Sequence, residues 1–304
     1  MPPLAEILTT WRVDPWAITA ILVAAVLYLT GVQRYNRAIR SEAATDDQGR
    51  RRWSINRTLC FFLLGLGSYL WIQCGFLGVW SHDLRWAFTT RIAFLLFLTP
   101  YLMALGKPVA LARGALGADG RARLERLLRC WPLRLLGNTT IAPLVALVGF
   151  GVFLTPLAAP LRLEAGWAVL ITLGVPLIGL AMSLPITEDP SSRSGMAITA
   201  EFLIAFAELV ADAIPGIVLR INYNVLDGVT AMATRMPAWF PSPLRDQQLS
   251  GDSLWLIAEL SDIPVIAFLF FRWTRADKRD AKAVDDLSDE EWDRQVREHL
   301  RGPR

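Results

Sequence analysis

The chain has 304 residues, of which 53% are hydrophobic and 19% are charged, and its formal net charge is +3. So small an excess of positive charge gives no case for nucleic-acid binding, and the mean hydropathy of +0.36 favours a membrane protein over a soluble one.

Seven apolar stretches, each about as long as a membrane span, are the main feature of the chain. A helix rises about 1.5 Å per residue and the hydrocarbon core is roughly 30 Å thick, so a span needs about 20 mostly apolar residues. The pattern predicts an all-α, polytopic membrane protein: a seven-span transmembrane bundle over residues 1–273 and a charged tail over 274–304. The predicted spans are Pro15–Tyr35, Thr58–Trp80, Trp86–Gly106, Thr139–Pro156, Gly166–Pro185, Met196–Ile221 and Leu254–Trp273.

The distribution of lysine and arginine predicts how the chain sits in the membrane. The loops after the first and third spans, and the tail after the seventh, are rich in arginine, whereas most alternate loops hold one or two basic residues. Because cytoplasmic loops carry the excess of positive charge, we predict an N-terminus outside and a cytoplasmic C-terminus. The loop at 186–195, with only Arg193, is the one predicted cytoplasmic loop that lacks this excess. We expect a multi-pass protein of a bacterial plasma membrane.

The cytoplasmic tail contains the pattern of a short amphipathic helix. Ser288 and Glu291 have the spacing of a capping box, which marks a helix start. Trp292, Val296 and Leu300 then recur every four residues and form one apolar stripe. We therefore predict a short C-terminal helix that packs on the membrane surface or on a partner.

Six charged side chains fall inside the predicted spans and away from their last residues, where each is costly unless it faces a cavity or a partner. The three in the sixth span are separated by seven and four residues, which places them on one face of a helix. By helical rise, one residue of the third span, one of the sixth and two of the seventh lie at similar depths in the outer half of the membrane. We expect these four to converge in a pocket. The six are Arg91 in the third span, Glu201, Glu208 and Asp212 in the sixth, and Glu259 and Asp262 in the seventh.

Three interpretations of these charges remain open. The first is a buried ion-pair network in which Arg91 neutralises one or two of the carboxylates. The second is a site for a hard metal ion, held by Asp212, Glu259 and Asp262. The third is a proton or ion path along the carboxylate face of the sixth span, with Glu208 near mid-membrane in a gating role.

The residue types that soluble enzymes use are scarce. The chain has two histidines, His82 and His299, and neither falls inside a predicted span. It offers no glycine-rich phosphate loop and no Ser–His–Asp set. We therefore expect a protein that is not an enzyme.

The chain resembles a known family in several short motifs. These motifs occur in the family's order over nearly the whole chain. The clearest is Asp246-Gln247-Gln248-Leu249, followed by Gly251, Trp255 and Glu259-Leu260. The others are Asp14-Pro15-Trp16, Leu27-Tyr28-Leu29, Gly31-Val32, Pro100, Leu105-Gly106, Pro108-Val109-Ala110-Leu111-Ala112, Asp189-Pro190 and Thr274-Arg275-Ala276-Asp277. In these motifs the chain resembles the CtaG-type cytochrome c oxidase assembly proteins, seven-span membrane proteins implicated in maturing the copper centres of haem–copper oxidases.

The resemblance implies an accessory or assembly factor of the respiratory chain, linked to copper homeostasis, with the lipid bilayer and cytochrome c oxidase subunits as partners. It also implies copper as the metal. The family's third span carries two histidines, which correspond to Phe88 and Ile92 here; its sixth-span histidine corresponds to Asp212, and Glu259 matches as it stands. Imidazole suits copper and carboxylate suits harder ions, so these residues favour an assembly role without copper carriage. The alternative is a transporter or ion-conducting protein that uses the intramembrane carboxylates.

Overall fold

The computed structural model describes residues 2–42, 52–138, 141–187, 213–229 and 237–285, together with positions 203 and 211. Within these ranges the secondary structure is helical and contains no strand. The predicted all-α class is therefore confirmed.

The first part of the chain forms three long helical segments. Two of them contain a turn of π-helix, Cys60–Leu66 between α3 and α4 and Phe94–Leu98 between α6 and α7, through which the helix continues. The helices are α1 (Leu4–Thr9), α2 (Pro15–Glu42), α3 (Ile55–Leu59), α4 (Gly67–Cys74), α5 (Phe76–Trp80), α6 (Arg85–Ala93) and α7 (Thr99–Ala104).

The second part combines short helices with two long ones. A 3₁₀ turn, Val152–Leu154, extends the fourth of these helices. They are α8 (Pro108–Ala115), α9 (Ala118–Leu128), α10 (Trp131–Leu136), α11 (Ile141–Gly151), α12 (Ala158–Leu163), α13 (Ala165–Thr187), α14, whose continuously described part is 213–221, and α15 (Pro243–Asp285).

Four helices in the described part of the chain are long and apolar enough to cross a membrane: Pro15–Arg40, Ile55–Trp80, Arg85–Ala104 and Ala165–Ser183. They coincide with the first, second, third and fifth predicted spans. Apolar exposure is clearest on α2, where several aliphatic side chains are more than half exposed, as expected for a helix that faces lipid. These are Leu22, Val23, Val26 and Leu27, with 54 to 66% of each exposed.

The other three predicted spans do not correspond to helices of this kind in the described part of the chain. In the fourth, the apolar helix Leu144–Leu154 is shorter than a span. The sixth falls mostly outside the described residues, and the seventh is helical throughout as part of α15. α15 continues past Trp273 to Asp285, and residues 286–304, with the predicted tail helix, lie outside the described residues. The number of spans and their orientation therefore stay predictions.

A glycine allows α13 to pack closely against the third span. A Cβ atom on Gly179 would overlap the backbone oxygen of Leu96 and the ring of Pro100, whereas one on Gly174, in the same helix, would meet nothing within 4 Å. Because a backbone oxygen cannot swing away as a side chain can, α13 packs here only through glycine.

We expect Gly179→Ala to lower the free energy of unfolding by about 1–3 kcal/mol, the usual cost of overpacking. Thermal unfolding of the protein in detergent measures the loss. Gly174→Ala is the matched control and should unfold like the unmodified protein. Equal unfolding temperatures for the two variants would mean that α13 does not approach the third span this closely.

Candidate functional site

A carboxylate from α15 caps the first turn of α6. Leu84, the N-cap residue of α6, provides no side-chain cap. Instead, the backbone N–H of Arg85 donates to Asp246 Oδ2 at 2.7 Å, and that of Trp86 donates to Oδ1 at 2.9 Å. A carboxylate at a helix N-terminus accepts hydrogen bonds from the otherwise unpaired N–H groups. Its negative charge also interacts favourably with the positive end of the helix dipole. Asp246 thereby fixes α15 against α6.

Asp246 is itself buried, with 5% of the residue exposed. Burial raises the pKa of this carboxyl above the ordinary value for aspartate, and the N–H donors of Trp86 and Arg85 lower it by less. Burying the Asp246 carboxylate in this cap therefore costs free energy of desolvation.

The side chain of Arg85 lies in a buried cluster of charges. Its Nη1 donates to Gln247 Oε1 at 2.8 Å and lies 3.5 Å from Asp227 Oδ1, while Nη2 donates to the backbone oxygen of Phe153. Arg162 Nη2 lies 3.4 Å from Asp227 Oδ2. The side chains of Arg85, Arg162 and Asp227 are only 4%, 5% and 2% exposed. We call Arg85, Arg162, Asp227, Asp246 and Gln247 the Arg85 cluster; its two arginines balance its two aspartates.

Gln247 connects this cluster to the chain that follows α14. Its Oε1 accepts a hydrogen bond from the backbone N–H of Leu226 at 2.8 Å as well as the one from Arg85. Its Nε2 is within hydrogen-bonding distance of three backbone oxygens, the nearest that of Asn224 at 2.9 Å. A fully buried amide with so many partners holds an irregular segment that has few hydrogen bonds of its own.

Arg91, on the next turns of α6, has a different environment. Its Nε donates to Gln73 Oε1 at 2.7 Å, its Nη1 to Ser81 Oγ at 3.2 Å and its Nη2 to Thr172 Oγ1 at 2.8 Å. The residue is 6% exposed. All three acceptors are neutral, so within the described ranges its charge has no carboxylate in contact.

A cavity of about 490 Å³ opens beside Arg91. Its walls come from the start of α2, the turn after α5, α6, α12 and the start of α13, all at the end of the bundle that the charge pattern predicts to be outside. We call it the Arg91 cavity. Its ionisable lining residues are Arg12, Asp14, His82, Arg91, Arg162 and Glu164.

Comparison with known proteins assigns the chain to a family. A sequence model described as cytochrome c oxidase caa3 assembly factor (Caa3_CtaG) matches residues 26–276. The chain belongs to the caa3 assembly factor family.

Three mycobacterial relatives are similar to nearly the whole chain. Uncharacterised proteins of Mycobacterium bovis and Mycobacterium tuberculosis are each 25% identical over 300 residues, covering 96% of this chain and 43% of their own length. A protein of Mycobacterium leprae, also uncharacterised, is 25% identical over 298 residues, 95% of this chain and 43% of its own. The chain thus spans less than half the length of these relatives. No solved structure matches it.

Of the residues that were predicted from intramembrane charge, the structure places Arg91 and Glu259 in different environments. Arg91 is buried and lines the cavity. Glu259 lies on α15, where its Oε1 accepts a hydrogen bond from Trp255 Nε1 at 2.9 Å, and it does not line the cavity. Asp212, Glu208 and Glu201, and the side chain of Asp262, lie outside the described residues. Their convergence with Arg91, and with it the metal-site and ion-path interpretations, stays a prediction.

Sequence reasoning missed the ion pairing in the Arg85 cluster, although Asp246 and Gln247 belong to the clearest family motif. Arg85 and Arg162 stand alone in loops that are otherwise poor in basic residues, and the charge pattern used them only as topology markers. Isolated arginines in predicted outer loops, together with Asp227 and Asp246 in the last outer loop, were the available signal. Their pairing spans 65 residues or more of sequence.

The described residues do not fit copper. They contain no group of three or more His, Cys, Asp or Glu side chains that could hold a metal ion. Phe88, at one of the two positions where the resemblance places a third-span histidine, is buried and lines the Arg91 cavity. Ile92, at the other, packs against the hydrophobic core. The guanidinium of Arg91 repels a cation, and the side chains of Phe88 and Ile92 carry no atom that could bind copper, so no metal-dependent step is assigned here.

Proposed function

We propose that the chain is a non-enzymatic assembly factor for cytochrome c oxidase in the plasma membrane of a bacterium, and that it acts on oxidase polypeptides without itself carrying copper. The match of the family model to residues 26–276 carries this proposal. The four helices that are long and apolar enough to cross a membrane support the location.

The position of the clearest family motif in the fold supports binding of a partner at the predicted outer end of the bundle. Asp246 and Gln247, from the clearest motif, hold α6, α15 and the segment after α14 together. They do so through buried polar bonds rather than through an apolar seam, and such bonds fix one geometry. Of the elements held in this way, α6 also forms part of the wall of the Arg91 cavity. A rigid wall of this kind is suited to binding a partner group in a defined orientation.

Deletion of the gene tests the proposal. We expect lower oxidase activity and a smaller oxidase signal in the optical difference spectrum of the membranes, both restored by the unmodified gene on a plasmid. Added copper should not restore them, because the proposed factor does not deliver the metal.

Two results would count against this function. Unchanged oxidase in the deletion strain would remove the assembly role. Full rescue of the deletion by copper alone would assign copper delivery to the factor, in spite of its missing histidines.

A further inference from the structure

We propose that the Arg91 cavity binds an oxyanion, a phosphate-type group carried by a lipid headgroup or by a solute. This inference is independent of the assembly role. It rests on charge, on unused hydrogen-bond donors and on the shape of the cavity.

The charge of Arg91 is the first observation. A buried guanidinium normally has a carboxylate partner, as Arg85 and Arg162 do in Asp227. Arg91 instead has three neutral acceptors from α4, the turn after α5 and α13, and no carboxylate within 4 Å in the described ranges. Its neutral partners hold the guanidinium in place. Asp14, which also lines the cavity, acts on this charge electrostatically but forms no ion pair with it, so the guanidinium stays available to a ligand.

Unused donors are the second observation. The three bonds of Arg91 leave N–H groups of its guanidinium without a partner among the described residues, since an arginine has more donors than these bonds use. Arg162 also lines the cavity, and its buried Nε has no hydrogen-bond partner in the described part of the chain. Buried donors without acceptors are costly, and a ligand oxygen would satisfy them.

The residues that line the cavity indicate which class of ligand it would bind. Arg12, at the mouth, is exposed and adds a third guanidinium, against two carboxylates, Asp14 and Glu164. Asp14 is already used by the backbone N–H groups that start α2. The remaining wall includes Trp16 and Phe88, and a volume of about 490 Å³ suits a small molecule with one charged group. A planar guanidinium group can bind two oxygens of one phosphate group at the same time.

Thermal unfolding of the full chain in detergent tests the proposal, with two probes at constant ionic strength. One arm adds inorganic phosphate and uses chloride as the reference. The other adds phosphatidylglycerol and uses phosphatidylcholine as the reference. A rise in unfolding temperature with phosphate indicates a solute ligand, and a rise with phosphatidylglycerol alone indicates a lipid headgroup. No rise in either arm would overturn the proposal.

Variants locate the site. Arg91→Gln should weaken binding of the effective probe by about tenfold or more, because it removes a charge-assisted contact. Arg12→Gln alters an exposed residue, so it should fold normally and still weaken binding by about threefold, as expected for a partly screened charge. Arg245→Gln, an exposed arginine outside the cavity, is the control for lost charge. Binding that stays the same in Arg12→Gln and in folded Arg91→Gln would contradict this site.

Discussion

Asp227→Asn should be the most destabilising conservative substitution in the Arg85 cluster. It removes the carboxylate in contact with the buried guanidinium groups of Arg85 and Arg162 and leaves Asp246 as the only counter-charge in the cluster. Breaking a buried ion pair from one side typically costs about 3–5 kcal/mol. The change is nearly isosteric, so the loss reports charge rather than packing. Thermal and denaturant unfolding in detergent would measure it.

An exposed ion pair in the same protein provides the control for this substitution. Arg220 Nε lies 2.9 Å from Asp252 Oδ1, closer than either pair in the cluster, but the two side chains are 45% and 40% exposed. Solvent screens such a pair, so Asp252→Asn should cost about 0–1 kcal/mol. Similar losses in Asp227→Asn and Asp252→Asn would mean that the Arg85 cluster is hydrated rather than buried.

Gln247→Leu should have the second largest effect. The substitution removes the acceptor for Arg85 Nη1 and for the backbone N–H of Leu226, together with the donor to Asn224. Each buried group left without a partner costs about 1–3 kcal/mol, so we expect a loss of at least about 2 kcal/mol.

The damage from Gln247→Leu should be concentrated after α14. Amide hydrogen exchange at Leu226 should become faster, because its N–H loses its partner while the helices around it keep theirs. Gln248→Leu, at the neighbouring and less buried position, is the matched control and should leave this amide protected. Protection that persists in Gln247→Leu would show that the segment is held by other contacts.

Apolar length was enough to predict much of the fold. The first, second, third and fifth spans were found because a run of about 20 apolar residues has few other stable solutions than a membrane helix. The two π-helical turns were not predicted, since Cys60–Leu66 and Phe94–Leu98 have no proline and read as ordinary apolar helix. Such turns depend on the packing between helices, which the local sequence does not encode.

The candidate site was only partly predictable. The cost of a charge inside a span singled out Arg91, and the structure places it in the wall of a cavity. Its partners were not predicted: Gln73, Ser81 and Thr172 lie on three other segments, and neutral side chains carry no signal of this kind. The Arg85 cluster was missed because its members pair across loops that look unrelated until the bundle is assembled.

Oxidase content in a deletion strain that carries Arg91→Gln is the most direct test of a working site in the Arg91 cavity. The variant should reach the membrane at the level of the unmodified protein, and the oxidase signal in the difference spectrum should fall toward that of the deletion. Arg220→Gln, on the exposed ion pair, should restore the signal fully. A full oxidase signal with Arg91→Gln at normal abundance would contradict a role for this cavity in oxidase assembly.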